Sequence, residues 1–174
     1  IDFVLKNTIN RESTWLFSAT MPPEVRAISR NYMENPKEVT VGKKNSGNVN
    51  IDHQFFVVPA SQRYEALKRL IDFNPGMYGI IFTRTKADAQ EVSERLAKSG
   101  YEIEALHGDL SQQQRDKVMG RFRSKNLQLL IATDVAARGI DVDGITHVIN
   151  FELPDDMEVY THRSGRTGRA GKTG

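Results

Sequence analysis

Gly79-Ile80-Ile81-Phe82-Thr83-Arg84-Thr85-Lys86-Ala87-Asp88-Ala89 changes character at Thr83. Before it lies a short apolar run of strand type. After it, Thr85 with Asp88 three residues on resembles a capping box, opening a helix whose Ala89, Val92 and Leu96 share one face before Gly100 closes it. An apolar strand leading into a capped amphipathic helix is half of a crossover unit, and the rest of the chain repeats it.

Downstream, Tyr101 to Leu106 reads as the next strand, and Ser111 with Gln114 forms a second capping box for a helix bearing Val118 and Phe122. Leu127 to Ala132 and Thr146 to Phe151 are further core strands, the latter after the turn-rich Asp141-Val142-Asp143-Gly144. Upstream, Ile51 to Val58 is strand-like, and Ser61 is placed to cap a helix carrying Leu67, Leu70 and Ile71, stopped by Asn74-Pro75-Gly76. Strands alternating with helices of about 12 residues imply right-handed crossovers and an all-parallel or mostly parallel sheet, hence an α/β layered domain.

The first part of the chain stands apart. Glu12 to Phe17 reads as a buried strand, followed by Ser18-Ala19-Thr20. Pro22 and Pro23 then start a helix with Val25, Ile28 and Tyr32 at helical spacing and Asn35-Pro36 as its stop. One strand and one helix make no sheet. Residues 37–50, with Gly42, Lys43, Lys44, Asn45, Ser46, Gly47 and Asn48, have the polar, Gly-containing character of an inter-domain linker. The expected organisation is therefore 1–36 as the tail of a preceding domain, 37–50 as linker and 51–174 as the α/β domain.

Composition narrows the function. A net charge of +2 on 174 residues argues against a purely electrostatic nucleic-acid binder, so any such contact must come from placed residues. The absence of cysteine excludes disulfides and thiolate zinc sites. No apolar run approaches a membrane span, and Ile1-Asp2-Phe3 is neither a signal peptide nor an initiator Met. A cytoplasmic piece of a longer protein, without membrane partners and with no metal ligands of its own, is expected.

In parallel sheets, ligands sit beyond the carboxyl ends of the strands. The residues there are Thr83-Arg84-Thr85, His107-Gly108-Asp109, Thr133-Asp134 and the segment leading from Phe151 to His162. They are polar, basic or Gly-bearing and converge on one edge. From His162 onward come Arg163, Arg166, Arg169 and Lys172, four glycines and no carboxylate. Arg166 and Arg169 are three apart across Thr167-Gly168, so one short turn can aim both planar forks at a single phosphate. The competing reading is a basic Arg-Gly tail that touches nucleic acid without geometry. Gly171-Lys172-Thr173 imitates the end of a phosphate-binding P-loop, but Arg166 stands where the first glycine should be.

Taken together, these stretches resemble the C-terminal RecA-like domain of DEAD-box ATP-dependent RNA helicases. Ser18-Ala19-Thr20 is similar to the family's motif III, Ile80 to Thr85 to motif IV, and Gln112 to Arg115 to its Gln-x-x-Arg motif. Thr133 to Asp141 is similar to motif V, and His162 to Arg169 to motif VI. The resemblance implies a RecA-like, P-loop-NTPase-type three-layer α/β/α domain. It implies Arg166 and Arg169 as arginine fingers on the terminal phosphate of ATP, Asp141 as acceptor from the ribose hydroxyls, Arg138 as a bridge near the nucleotide, and His162 as the coupling of motif VI to motif III through Ser18 and Thr20. Thr85, Gly108, Gln112, Arg115 and Thr133 would contact the RNA backbone. Thr85 could equally be a helix cap and Gly108 only a turn. Partners would be RNA and the N-terminal RecA-like domain, which would hold most of the ATP and its Mg2+. The family's phosphate-binding loop and Asp-Glu-Ala-Asp motif are absent, so this chain alone is expected to be inactive. A DNA-directed superfamily 2 helicase and a non-catalytic RNA-binding module are the alternatives.

Overall fold

The strand at Gly79 is one of the two inner strands of the sheet. The computed structural model describes residues 2–8, 10–40 and 49–174, and the chain falls into two compact units, residues 1–46 and 47–174. In the second unit, β1 (Gly79–Thr83), β2 (Ile103–Leu106), β3 (Leu129–Thr133) and β4 (His147–Asn150) form one sheet in the order β2-β3-β1-β4. All three ladders are parallel, with Gly79 in register with both Leu129 and His147.

Both faces of the sheet are covered, which is why its inner strands are continuous apolar runs. Ile81, Leu129, Ile131 and Ile103 pack under Leu67 and Ile71 of α3 (Arg63–Phe73) and Ala89, Val92 and Leu96 of α4 (Lys86–Lys98). Ile80, Phe82, Leu130 and Ala132 point the other way. They meet Val118, Met119 and Phe122 of α5 (Gln112–Arg123) and Ala136, Ala137, Ile140, Val142 and Ile145 of the turn-rich segment before β4. The period-2 pleat thus feeds two cores from one strand, giving the expected three layers. The last helix, α6 (Met157–Ser164), is capped by Asp156, whose carboxylate accepts the Glu158 amide.

The two capping boxes differ. At Ser111 both halves are made: its hydroxyl accepts the Gln114 amide, and the Gln114 side chain accepts the Ser111 amide. At Thr85 the hydroxyl accepts the Asp88 amide and also meets the Asp88 carboxylate. Ser61 caps nothing: it lies inside a 3-10 turn, Ala60–Gln62, that runs directly into α3 with Gln62 as N-cap.

Two expected strands are not strands. Residues 51–58 run without a ladder, and Phe55, Phe56 and Val57 are exposed. One ring of hydrogen bonds ties their start to the last residue, Asp52 N–H to Gly174 O at 2.8 Å and Gly174 N–H to Asn50 O at 2.9 Å. β-prone composition marks a segment that fits a pleated, half-buried surface, and becomes a strand only where a partner is present. In the first unit, α1 (Asp2–Asn7) and α2 (Pro23–Tyr32) flank residues 12–17, which form no strand for the same reason. Trp15 and Phe17 are exposed there and stack on each other with ring centroids 6.3 Å apart. Within the expected linker, residues 41–48 lie outside the described residues. No described helix is long and apolar enough to cross a membrane.

Candidate nucleotide and nucleic-acid interface

The carboxyl ends of the four strands bring together segments spread over more than 80 residues, from Thr83 to Arg169. Across them lies Arg163, only 2% exposed. Its Nε and Nη2 donate to the two carboxylate oxygens of Asp134, just past β3, at 2.6 and 2.8 Å. Its Nη1 donates to Asn150 Oδ1 at 2.9 Å and to the Glu152 carbonyl at 2.8 Å, at the end of β4. The guanidinium stands 5.0 Å from the Phe82 ring centroid of β1, the strand between those two. A buried guanidinium needs such saturation, because each unmet N–H would carry the full desolvation penalty.

α6 ends at Ser164, and the following turn carries the remaining cations. Arg166 Nη1 donates to the Ile140 carbonyl at 2.8 Å. Arg169 donates from Nε to the Gly165 carbonyl at 2.7 Å and from Nη1 to Asp141 Oδ1 at 2.7 Å. Thr167, buried between them in sequence, pins the turn through Oγ1 to the Ile145 carbonyl at 2.5 Å, and Gly168 takes a positive φ of 65°. The C-terminal stretch is therefore shaped, not a loose basic tail. Burial lowers the pKa of Arg166 from its ordinary value, the neighbouring Arg169 cation lowers it further, and Asp141 opposes both. A guanidinium stays protonated regardless, so the shift marks a partly desolvated cation beside a second cation, a place that favours an anion.

Asp141 lies with its side chain 88% exposed and accepts from Arg169. Arg138 is exposed in the turn that ends at Gly139, where φ is 74°. His162 is exposed at the end of α6, with Glu158 one turn back at 3.8 Å. In the first unit the Thr20 amide donates to Ser18 Oγ at 3.3 Å.

On the β1, β2 and β3 side of the same edge, Thr133 ends β3 half-buried and Thr85 is exposed at the start of α4. Gly108 lies exposed in the turn after β2. Gln112 and Arg115 begin α5 but are already engaged: Gln112 Nε2 donates to Asp116 at 2.7 Å, and Arg115 Nη2 donates to the Ala136 carbonyl at 3.2 Å. Arg115 is thereby tied to the segment that carries Arg138. Lys86 Nζ meets Asp109 Oδ1 at 2.8 Å, bridging the ends of β1 and β2 beside Gly108. The buried His107 offers Nε2 to Gln90, while its Nδ1 has no hydrogen-bond partner among the described residues.

Sequence reasoning missed Arg163, Asp134, Asn150 and Glu152. A signal existed: four cations without a carboxylate require acids from elsewhere, and Asp134 directly follows an apolar strand at the same edge. What a linear pattern lacks is which cation takes which acid.

The family described as "Helicase conserved C-terminal domain" matches residues 62–171. The chain is 44% identical over its full 174 residues to the DEAD-box ATP-dependent RNA helicase CshA of Geobacillus kaustophilus, covering 37% of that protein. It is 42% identical to CshA of Bacillus subtilis, again over all 174 residues and covering 35% of it. The chain thus spans about a third of the length of these relatives. Among solved structures, a DEAD box protein from Methanococcus jannaschii matches 91% of this chain and 42% of its own at 46% identity with a TM-score of 0.70. S. cerevisiae Dbp5 bound to RNA and ADP BeF3 matches 91% of this chain and 42% of its own at 32% identity with a TM-score of 0.78.

Proposed function

Since the chain belongs to the helicase conserved C-terminal domain family in its DEAD-box form, we propose that it is the half of an RNA-dependent ATPase and helicase that supplies two arginine fingers and an RNA-backbone surface. The observation that carries this reading is the convergence of Arg166, Arg169 and Asp141 at one shaped turn, anchored on the Ile140 carbonyl. A tail without geometry would not pin Thr167 and Gly168 beneath two adjacent cations.

Each residue has a task that suits its chemistry. Asp141 accepts the ribose hydroxyls of ATP. In the Asp141–Arg169 pair the carboxylate is exposed and the Arg169 side chain partly buried; surface pairs contribute about 0–1 kcal/mol, so nucleotide displaces the exposed carboxylate at modest cost. Arg166 and Arg169 then face the terminal phosphate and stabilise the charge spread over its oxygens as water attacks. Arg138 and the exposed His162 serve the coupling to ATP hydrolysis, Ser18 and Thr20 keep the coupling role that the resemblance gives them, and the N-terminal domain holds Mg2+ and most of the nucleotide. Thr85, Gly108, Gln112, Arg115 and Thr133 follow the RNA backbone, reading phosphate and ribose rather than bases. The Dbp5 structure holds RNA and a nucleotide analogue, which supports the same pair of ligands here. Positioning supplies most of phosphoryl-transfer catalysis, so this chain alone binds both weakly and hydrolyses nothing.

The test is steady-state ATPase kinetics with saturating RNA in the protein carrying both domains. Arg166→Lys and Arg169→Lys each lower turnover toward the low end of the 10³ to 10⁵ range for arginine fingers, roughly 10³-fold, with a much smaller change in ATP affinity. A point charge cannot reproduce the two-pronged contact. If both variants keep near-normal turnover and lose only RNA affinity, the turn is a nucleic-acid patch.

A further inference from the structure

Arg163 has no task in the proposed reaction, yet it makes four side-chain hydrogen bonds at this edge. Its guanidinium crosses three adjacent strands: it grips Asp134 past β3 with two bonds, lies over Phe82 of β1, and holds Asn150 and the Glu152 carbonyl at the end of β4. It is itself the penultimate residue of α6, two residues before the turn that bears Arg166. Asp134 follows Thr133, the strand end assigned to RNA, and begins the segment through Ile140 and Asp141 on which Arg166 and Arg169 rest. The carboxylate is 39% exposed and the guanidinium almost wholly buried, so the contact spans from the solvent-facing edge into the core.

We propose that Arg163 is a positioning residue which, through its bidentate pair with Asp134, makes the RNA-contacting end of β3 and the finger-bearing end of α6 one rigid body, so that RNA contact at Thr133 fixes the register of Arg166 and Arg169. The inference rests on the function proposed above. Two planar N–H to carboxylate bonds fix orientation as well as distance, which a single lysine contact does not. Coupling needs a contiguous element whose arrangement both sites bias. The pair is the direct contact between those two ends, and loosening it would let the β3 exit shift without carrying α6 along.

The measurement is the RNA stimulation ratio, kcat with saturating RNA over kcat without it, in the protein carrying both domains, for wild type, Arg163→Lys and Asp134→Asn. Asp134→Asn leaves the Arg163 contacts to Asn150 and Glu152 in place, so it keeps the fold if Arg163→Lys does not. The expected result is a ratio reduced about 2- to 30-fold in each variant, the range for residues that carry coupling, with the Arg163→Lys, Asp134→Asn double variant no worse than the more affected single one. A merely structural role lowers both rates by the folded fraction and leaves the ratio unchanged. An unchanged ratio in a folded Asp134→Asn protein overturns the inference while the proposed function stands. A wild type without any RNA-stimulated ATPase activity overturns both.

Discussion

Gly79→Ala tests the geometry that sets β4, and with it α6, against the rest of the sheet. A Cβ at Gly79 would stand 2.8 Å from the His147 carbonyl oxygen and 3.4 Å from His147 Cβ. Ordinary carbon–oxygen contacts across strands are about 3.3–3.6 Å, so β4 must move by roughly half an ångström or more. The neighbour is backbone, and Gly79 is in register with Leu129 on the other side, which leaves little room to retreat. Overpacking of this kind costs about 1–3 kcal/mol. Relief of glycine's unfolded-chain entropy returns about 0.5–1 kcal/mol. The net loss is about 1 kcal/mol within a span of about 0–2.5 kcal/mol, a fall in Tm of a few degrees at this chain length, at about 2–4 °C per kcal/mol. Gly76→Ala is the control: nothing lies within 4 Å of its added Cβ, so it gains about 0.4–1 kcal/mol. Urea and thermal unfolding are followed by far-UV circular dichroism, since Trp15 lies outside the unit that holds the sheet. Equal or greater stability of Gly79→Ala would refute the argument that glycine is there for the approach of β4.

Two further outcomes are expected. Arg115→Ala removes a cation tied to the Ala136 carbonyl at the proposed RNA face; RNA titrations at several salt concentrations should show weaker binding and a salt slope flatter by about 0.7, the loss of one single-strand phosphate contact. An unchanged slope would remove Arg115 from the interface. His147 is held below its ordinary pKa of 6.5 by burial, so the unfolded chain takes up its proton first as pH falls. Its contribution to stability is complete above about pH 6.5 and is lost as pH drops through the lower folded value. Urea midpoints between about pH 7.5 and 5 should therefore decline, and His147→Gln should decline less. Parallel slopes in the two proteins would exclude His147 as the source.

Local grammar made much of the domain legible. Ser111 with Gln114, and Thr85 with Asp88, located two helix starts within one residue, because capping chemistry is satisfied over three or four positions of chain. The apolar runs at Gly79, Tyr101, Leu127 and Thr146 located the four strands to within two residues, since both faces of the sheet demand them. The resemblance singled out Asp141, Arg166 and Arg169, and the structure puts Arg169 against Asp141. Only the tertiary structure decided the rest. Whether residues 12–17 and 51–58 become strands depends on partners that composition does not contain, and neither forms one. Strand order, and so the span β3-β1-β4 that Arg163 crosses, follows from packing of helices on both faces. That Arg163 takes Asp134 while Arg169 takes Asp141 is likewise a matter of burial. A carboxylate just past a strand serves a buried guanidinium or an exposed one equally well on paper, and desolvation alone makes the difference.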